Sequence, residues 1–233
     1  MQGGGDLQPR GIFNVRYGIG NVENEGSVVA GTRRDTDGAF VGLALDAGGK
    51  HFGGGFKLEV YGSDDDLYGA AFTSSKAAGV EIFPHFTIRP TGGDIFRIPI
   101  RIGPYVQVHA LELETATTDR TISFVGIGGQ VEIEPEIDFV RTDNIGFGLY
   151  GRLRLGLASA KIDNDIGPDD FDTNSSNLGT EIGLRFQAKL FLVGAGFMTR
   201  STNYDRSDPA NGTTFPESDF RFEGFFIDMG LRW

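Results

Sequence analysis

The sequence predicts an all-β fold, a transmembrane antiparallel up-and-down β-barrel of about ten strands (eight to twelve). Three observations predict it. Apolar residues recur at every second position in one segment after another. The connections between these segments alternate between short and long. The 233 residues hold 36 Gly and 20 Phe, and no stretch shows a helical period.

The strands follow in order. Segment 11–21 sets Phe13, Val15, Tyr17 and Ile19 against Asn14, Arg16, Gly18 and Gly20. Segments 38–48 and 52–62 come next, the latter with Phe52, Phe56, Leu58 and Val60 opposite Lys57, Glu59 and Tyr61. Segment 77–90 places Val80, Ile82, Phe86 and Ile88 against Glu81, His85 and Arg89. Segment 95–112 opposes Phe96, Ile98, Ile100, Ile102, Val106 and Val108 to Arg97, Arg101, Tyr105, Gln107 and His109. Segment 121–139 opposes Val125, Ile127, Val131, Ile133 and Ile137 to Gln130, Glu132, Glu134, Glu136 and Asp138. Segment 145–160 opposes Phe147, Leu149, Leu153, Leu155 and Leu157 to Tyr150, Arg152 and Arg154. Segment 178–188 opposes Ile182, Leu184 and Phe186 to Glu181, Arg185 and Gln187. Segment 190–204 has no clear phase. Segment 222–233 closes the chain with Phe225, Ile227, Met229, Leu231 and Trp233 on one face.

Short turns are expected near 49–51, 91–94, 140–144 and 188–190, and long polar loops near 22–37, 63–76, 113–120, 161–177 and 205–219. Residues 1–10 read as a flexible segment and 11–233 as one barrel domain. Pro84, Pro99, Pro104 and Pro135 fall inside expected strands, where they need bulges or strand ends because proline has no N–H for the ladder.

A soluble sheet usually buries its apolar face and exposes its polar one. Here charges of both signs sit in mid-strand, and the apolar face runs for roughly 9 to 11 residues, the length of a tilted membrane-spanning strand. A closed barrel with lipid outside and a polar lumen accounts for both faces and leaves no backbone edge in lipid. No apolar run is long enough for a membrane-spanning helix. No basic n-region precedes an apolar h-region, so a mature exported chain without its signal peptide is expected. The absence of Cys excludes disulfides and thiol chemistry, and a formal charge of −11 argues against nucleic acid as a partner.

On these residues the chain resembles the small bacterial outer-membrane β-barrel proteins, from about residue 11 to Trp233. The ending carries the resemblance: Phe225, Ile227, Met229, Leu231 and Trp233 match the family's alternating apolar strand with a terminal aromatic, with Trp in place of the usual Phe. The resemblance implies residence in the outer membrane, contact with lipid and lipopolysaccharide, and recognition of the last strand by the barrel-assembly machinery. It implies little about activity, because such barrels serve as enzymes, adhesins, pores and scaffolds.

The polar phase defines the expected lumen. Its cations are Arg16, Lys57, Arg89, Arg97, Arg101, Arg152, Arg154, Arg185 and Arg232, and its anions Asp46, Glu59, Glu81, Glu132, Glu134, Glu136, Asp138, Glu181 and Asp228. Adjacent strands bring Arg97, Arg101, Arg152 and Arg154 beside Glu132, Glu134, Glu136 and Asp138, with Glu132 and Glu134 roughly opposite Arg152 and Arg154. Unpaired buried charge is costly, so a salt-bridged plug is expected, with a structural or surface-interaction role. The alternatives are a narrow pore for ions or small solutes, a rim enzyme on lipid A or peptides, and a soluble barrel carrying an apolar ligand.

No catalytic set stands out. His85 is expected near the short turns and His109 near the long loops, where Glu112 or Ser123 would be its partner in a rim enzyme, although Ser123 falls on the outward phase. His51 lies in a turn. The loop 161–172 carries Asp163, Asp165, Asp169, Asp170 and Asp172, weak candidates for a divalent cation, but Gly167 is misplaced for an EF-hand. No other cofactor is expected.

Overall fold

The computed structural model describes residues 11–26, 33–49, 51–64, 67–68, 72–90, 95–142, 144–165, 170–208 and 214–233. The expected N-terminal segment 1–10, the turn 91–94 and Asp169 lie outside these. The strands are β1 (Gly11–Gly26), β2 (Arg33–Gly48), β3 (Phe52–Ser63), β4 (Ser74–Ile88), β5 (Phe96–Arg97), β6 (Ile100–Glu114), β7 (Asp119–Ile133), β8 (Glu136–Arg141), β9 (Ile145–Asn164), β10 (Phe171–Ala188), β11 (Phe191–Tyr204) and β12 (Ser218–Arg232).

Ten of these close an antiparallel barrel. Each pairs with its neighbours in chain order, and β12 pairs back onto β1, with Val15 opposite Met229 and Ile19 opposite Phe225. The short β5 and β8 extend β6 and β7. Arg97 faces Glu136 across β5–β8 and Arg101 faces Glu132 across β6–β7, in one continuous register. Proline makes the breaks. The gaps hold Pro99 and Pro135, and the ladder is patched by the Glu134 N–H donating to the Pro99 carbonyl at 3.0 Å and the Gly151 N–H donating to the Pro135 carbonyl at 2.9 Å. Pro84 and Pro104 lie opposite one another, between the pairs Ile82–Val106 and Phe86–Ile102, so two missing donors are confined to one gap.

Following pairing partners once round the barrel from Gly11 leads through Ala47, Phe86, Val131 and Ser201 back to Glu23, 12 residues along β1. Ten strands with that stagger tilt by roughly 40° and enclose a backbone cylinder about 20 Å across.

The exterior carries the apolar faces. Tyr17, Ile19, Leu157, Ile182, Phe225, Ile227 and Met229 are all exposed. Outward aromatics gather at the short-turn end, among them Phe13, Phe52, Phe86, Phe96, Phe147, Phe191 and Trp233, as in the interfacial girdle of a membrane barrel. This is a transmembrane barrel. The soluble alternative required the apolar faces to point inward, and the fold puts them outside.

Two expectations about the connections are corrected. The segment 113–120 is no long loop: Thr115–Thr118 is a tight turn closed by the Thr115 N–H donating to the Thr118 carbonyl at 2.8 Å. The segments 22–37 and 161–177 are largely strand, since β1 runs to Gly26, β2 starts at Arg33, β9 runs to Asn164 and β10 starts at Phe171. β9 is 20 residues long, about twice what a bilayer needs. The cause lies in the pattern. In β9 the outward residues change from Leu153, Leu155 and Leu157 to Ser159, Lys161 and Asp163, while the inward ones change from Arg152 and Arg154 to Ala158, Ala160 and Ile162. The alternation continues with its polarity exchanged, so the strands project beyond the membrane as an ordinary barrel, polar outside and apolar within.

Candidate functional site: the barrel lumen

The lumen has three layers. The middle one is the charge network. Arg154 on β9 lies 2.8 Å from Glu59 on β3, 2.8 Å from Glu81 on β4 and 2.7 Å from Glu132 on β7. β3 and β9 stand four positions apart in a ring of ten, so this side chain bridges the lumen. Lys57 on β3 reaches Glu132. Arg16 on β1 lies 2.8 Å from Glu181 on β10 and 3.5 Å from Asp228 on β12. Arg152 holds Glu134 at 2.6 Å and Glu181 at 2.9 Å, and Arg101 holds Glu134 at 2.8 Å and Asp46 at 3.4 Å. These are charge-assisted contacts between largely buried groups, with Arg152 and Arg154 each placing two nitrogens on one carboxylate. Gly194 leaves room for the network, because a Cβ there would sit 2.0 Å from the Asp228 carboxylate.

The structure thus brings Arg101, Arg152 and Arg154 together with Glu132 and Glu134. Arg97, Glu136 and Asp138 lie nearer the short turns, with Arg97 2.9 Å from Glu136 and 2.8 Å from Asp138. Arg200 on β11 was not legible, because segment 190–204 has no clear phase. It points inward, pairs with Glu59 and lies 4.9 Å over the Phe40 ring.

Toward the long loops the lumen is apolar, which the charge-based reading missed. Phe220 stacks on His109 at 4.8 Å and meets Phe124 edge-on at 5.0 Å, and Phe124 packs against Tyr204 at 4.8 Å. Val22, Phe40, Leu111, Ile122, Ile162 and Phe222 fill the rest. Leu67 and Tyr68, between β3 and β4, and Phe215, between β11 and β12, cover this core as a lid. The Leu67 and Tyr68 N–H groups bond to the Ser75 carbonyl (3.1 Å) and hydroxyl (2.7 Å), which places both side chains in this core. The Phe215 N–H donates to the Ser207 hydroxyl at 2.6 Å, and its ring lies 5.8 Å from Phe124. The Tyr68 hydroxyl donates to the Asn24 side chain, and burial pushes this phenol up to about 12.

His109 is not a rim base. It is buried in this aromatic layer with Nδ1 2.7 Å from the Tyr204 hydroxyl, while Ser123 is paired with Ala110 on the outward phase and Glu112 is exposed on that same face. His85 is buried with Nε2 2.9 Å from Asp46, and His51 is exposed. Asp163, Asp165, Asp170 and Asp172 are at the β9–β10 end, where Lys161 lies 3.9 Å from Asp172. Among the described residues no three acidic or imidazole groups converge as metal ligands.

Toward the short turns the lumen opens into a cavity of about 840 Å3. Its floor is the underside of the charge network at Asp46, Arg101 and Arg185, and its mouth includes His51, Arg89, Lys189 and Arg232.

No protein-family model matches the chain, and no curated protein is significantly similar to it. Solved structures match its fold. The translocator domain of the autotransporter NalP from Neisseria meningitidis is 12% identical, with a TM-score of 0.49 over 98% of this chain and 90% of that one. The outer-membrane protease OmpT from Escherichia coli is 10% identical, with a TM-score of 0.47 over 97% of each chain. Neisserial surface protein A is 12% identical, with a TM-score of 0.35 over 92% of this chain and 95% of that one. These are likenesses of architecture alone.

Proposed function

We propose that the protein is a closed, non-conducting barrel of the bacterial outer membrane with a structural or surface-interaction role. One observation carries this reading: two successive layers fill the lumen, a lumen-bridging ion-pair network and above it an aromatic core sealed by Leu67, Tyr68 and Phe215. A pore needs a continuous aqueous path, and side chains of a ten-stranded barrel fill most of its width. The strand extensions raise a polar collar above the lipid on the long-loop side. Such a collar, bearing Asp35, Asp37, Glu112, Asp163 and Asp172 on its outside, suits contact with lipopolysaccharide through divalent ions or with another surface. The outward row Phe225, Ile227, Met229, Leu231 and Trp233 supports β12 as the strand read by the barrel-assembly machinery, since β12 closes the barrel.

The test is single-channel recording in planar bilayers of protein refolded in detergent, with a heat-modifiable gel band as proof of folding. The expected result is no resolved conductance steps. Reproducible steps that scale with added protein would replace the plug with the narrow-pore reading.

A further inference from the structure

We infer that the cavity at the short-turn end is a binding site for a small polyanion bearing carboxylate or phosphate groups. The chain carries a formal charge of −11, yet the cavity is lined by seven Arg and Lys against three Asp and Glu. The three acids are already engaged. Asp46 is held by Arg101, Glu136 by Arg97 and Arg185, and Asp138 by Arg97 and Arg141. That leaves Arg89, Lys189 and Arg232 with no carboxylate partner among the described residues. Arg89 donates to the Gly49 carbonyl at 3.0 Å, and Arg232 to the Gln187 side chain, both neutral acceptors. Arg232 lies in the field of Arg97 and Arg141, which repel it, and of Glu136 and Asp138, which attract it from beyond ion-pair distance. A concave site lined by one sign of charge concentrates counter-ions.

Placement sets the ligand class. Arg232 ends β12 and Lys189 lies in the β10–β11 turn, so these two share one wall. Arg89 follows β4, four strands from β12 around the ring. Surplus charge on two separated walls suits a ligand with anionic groups at both ends better than a single halide. A volume of about 840 Å3 lies within the range of small-molecule sites, roughly 300 to 1,000 Å3. The outer-membrane reading makes the periplasm the side from which the ligand enters. The site itself does not depend on that reading.

The test is isothermal titration of the full chain, refolded in detergent at low ionic strength, with citrate, pyrophosphate and inorganic phosphate. Saturable one-to-one binding of citrate or pyrophosphate, tighter than of inorganic phosphate and weakened by added salt, is the expected result. Which of the two binds separates carboxylate from phosphate chemistry. Arg89→Gln and Arg232→Gln each weaken binding about tenfold, and Arg221→Gln, on the outer face of the collar, leaves it unchanged. If Arg232→Gln in the closing strand fails to give the folded gel band, Arg89→Gln and Lys189→Gln carry the comparison. No saturable binding of any probe, or equal binding by the cavity variants and Arg221→Gln, overturns the inference. Conductance steps together with citrate binding would overturn the plug and leave this site standing.

Discussion

Replacing Arg154 with Met tests whether the lumen is a dry plug. The side chain is 2% exposed and touches three carboxylates on three different strands. After the substitution Glu59 keeps Arg200 and Glu132 keeps Lys57. Among the described residues Glu81, its side chain 12% exposed, keeps only the Asn177 amide at 3.4 Å. Stranding a buried charge costs about 3–5 kcal/mol. With a urea slope of about 2 kcal/mol per molar, the unfolding midpoint falls by about 2 M. The assay is urea unfolding in detergent, read by tryptophan fluorescence of Trp233 and by the heat-modifiable gel band. The double variant Arg154→Met with Glu81→Gln removes the stranded charge and should recover at least half of the loss. A loss under about 1 kcal/mol would be that of a solvated surface pair. It would show the network to be bathed in water and would refute the plug.

Three further outcomes are expected. Gly48→Ala should cost about 1–3 kcal/mol in the same assay, because Gly48 has φ 149 and an added Cβ would lie 2.3 Å from the Gly53 Cα. Phe220→Ala should cost about 3–5 kcal/mol and open the collar to protease in limited digestion, while the ion pairs below it persist. Tyr68, buried and held at about 12 against about 10 in the unfolded chain, stabilises the lid as a neutral phenol: the contribution is complete below pH 10 and is lost as pH rises through 12. Unfolding midpoints measured from pH 8 to 12 should fall less steeply for Tyr68→Phe than for the parent.

Much of the fold was legible because a strand has a period of two and lipid tolerates no charge on one face. Every cation and anion assigned inward by phase alone, from Arg16 to Asp228, faces the lumen, and Glu132 is the register partner of Arg154. The failures share one cause. A single polarity, assumed along a whole strand, makes Glu23, Asp35, Asp163 and Asp172 look like loop residues once the outward positions turn polar. The same assumption hid the aromatic core, because Phe124, Phe171, Phe220 and Phe222 stand inward where polar residues were expected. The exposed signal was the reversal itself: outward Phe225 gives way to Glu223 while inward Asp228 gives way to Phe226 and Phe222. Arg200 was missed for a related reason, since Gly194, Gly196, Thr199 and Ser201 blur the phase of β11.

The reversal also locates the membrane boundary. On β12, β1 and β2 it falls at Gly224, Gly20 and Gly38, which are direct register partners around the closure of the barrel. Below that line, lipid demands an apolar exterior, and the interior can hold charge only where every charge is answered. Above it, water solvates the exterior, and the interior must exclude water to keep the strands together, which aromatic packing does. The two halves therefore need opposite interiors while sharing one set of strands. Their junction lies where arginines meet aromatic rings: Arg16 sits 4.6 Å over Phe226 and Arg200 over Phe40, cations at the edge of the network capped by the lowest rings of the core. The closed end thus faces the side with the polar collar, and the open, positively charged end faces the short turns. That asymmetry is what the single-channel and titration experiments probe from opposite ends: the aromatic core and ion pairs decide conductance, and the cavity at the short turns decides anion binding.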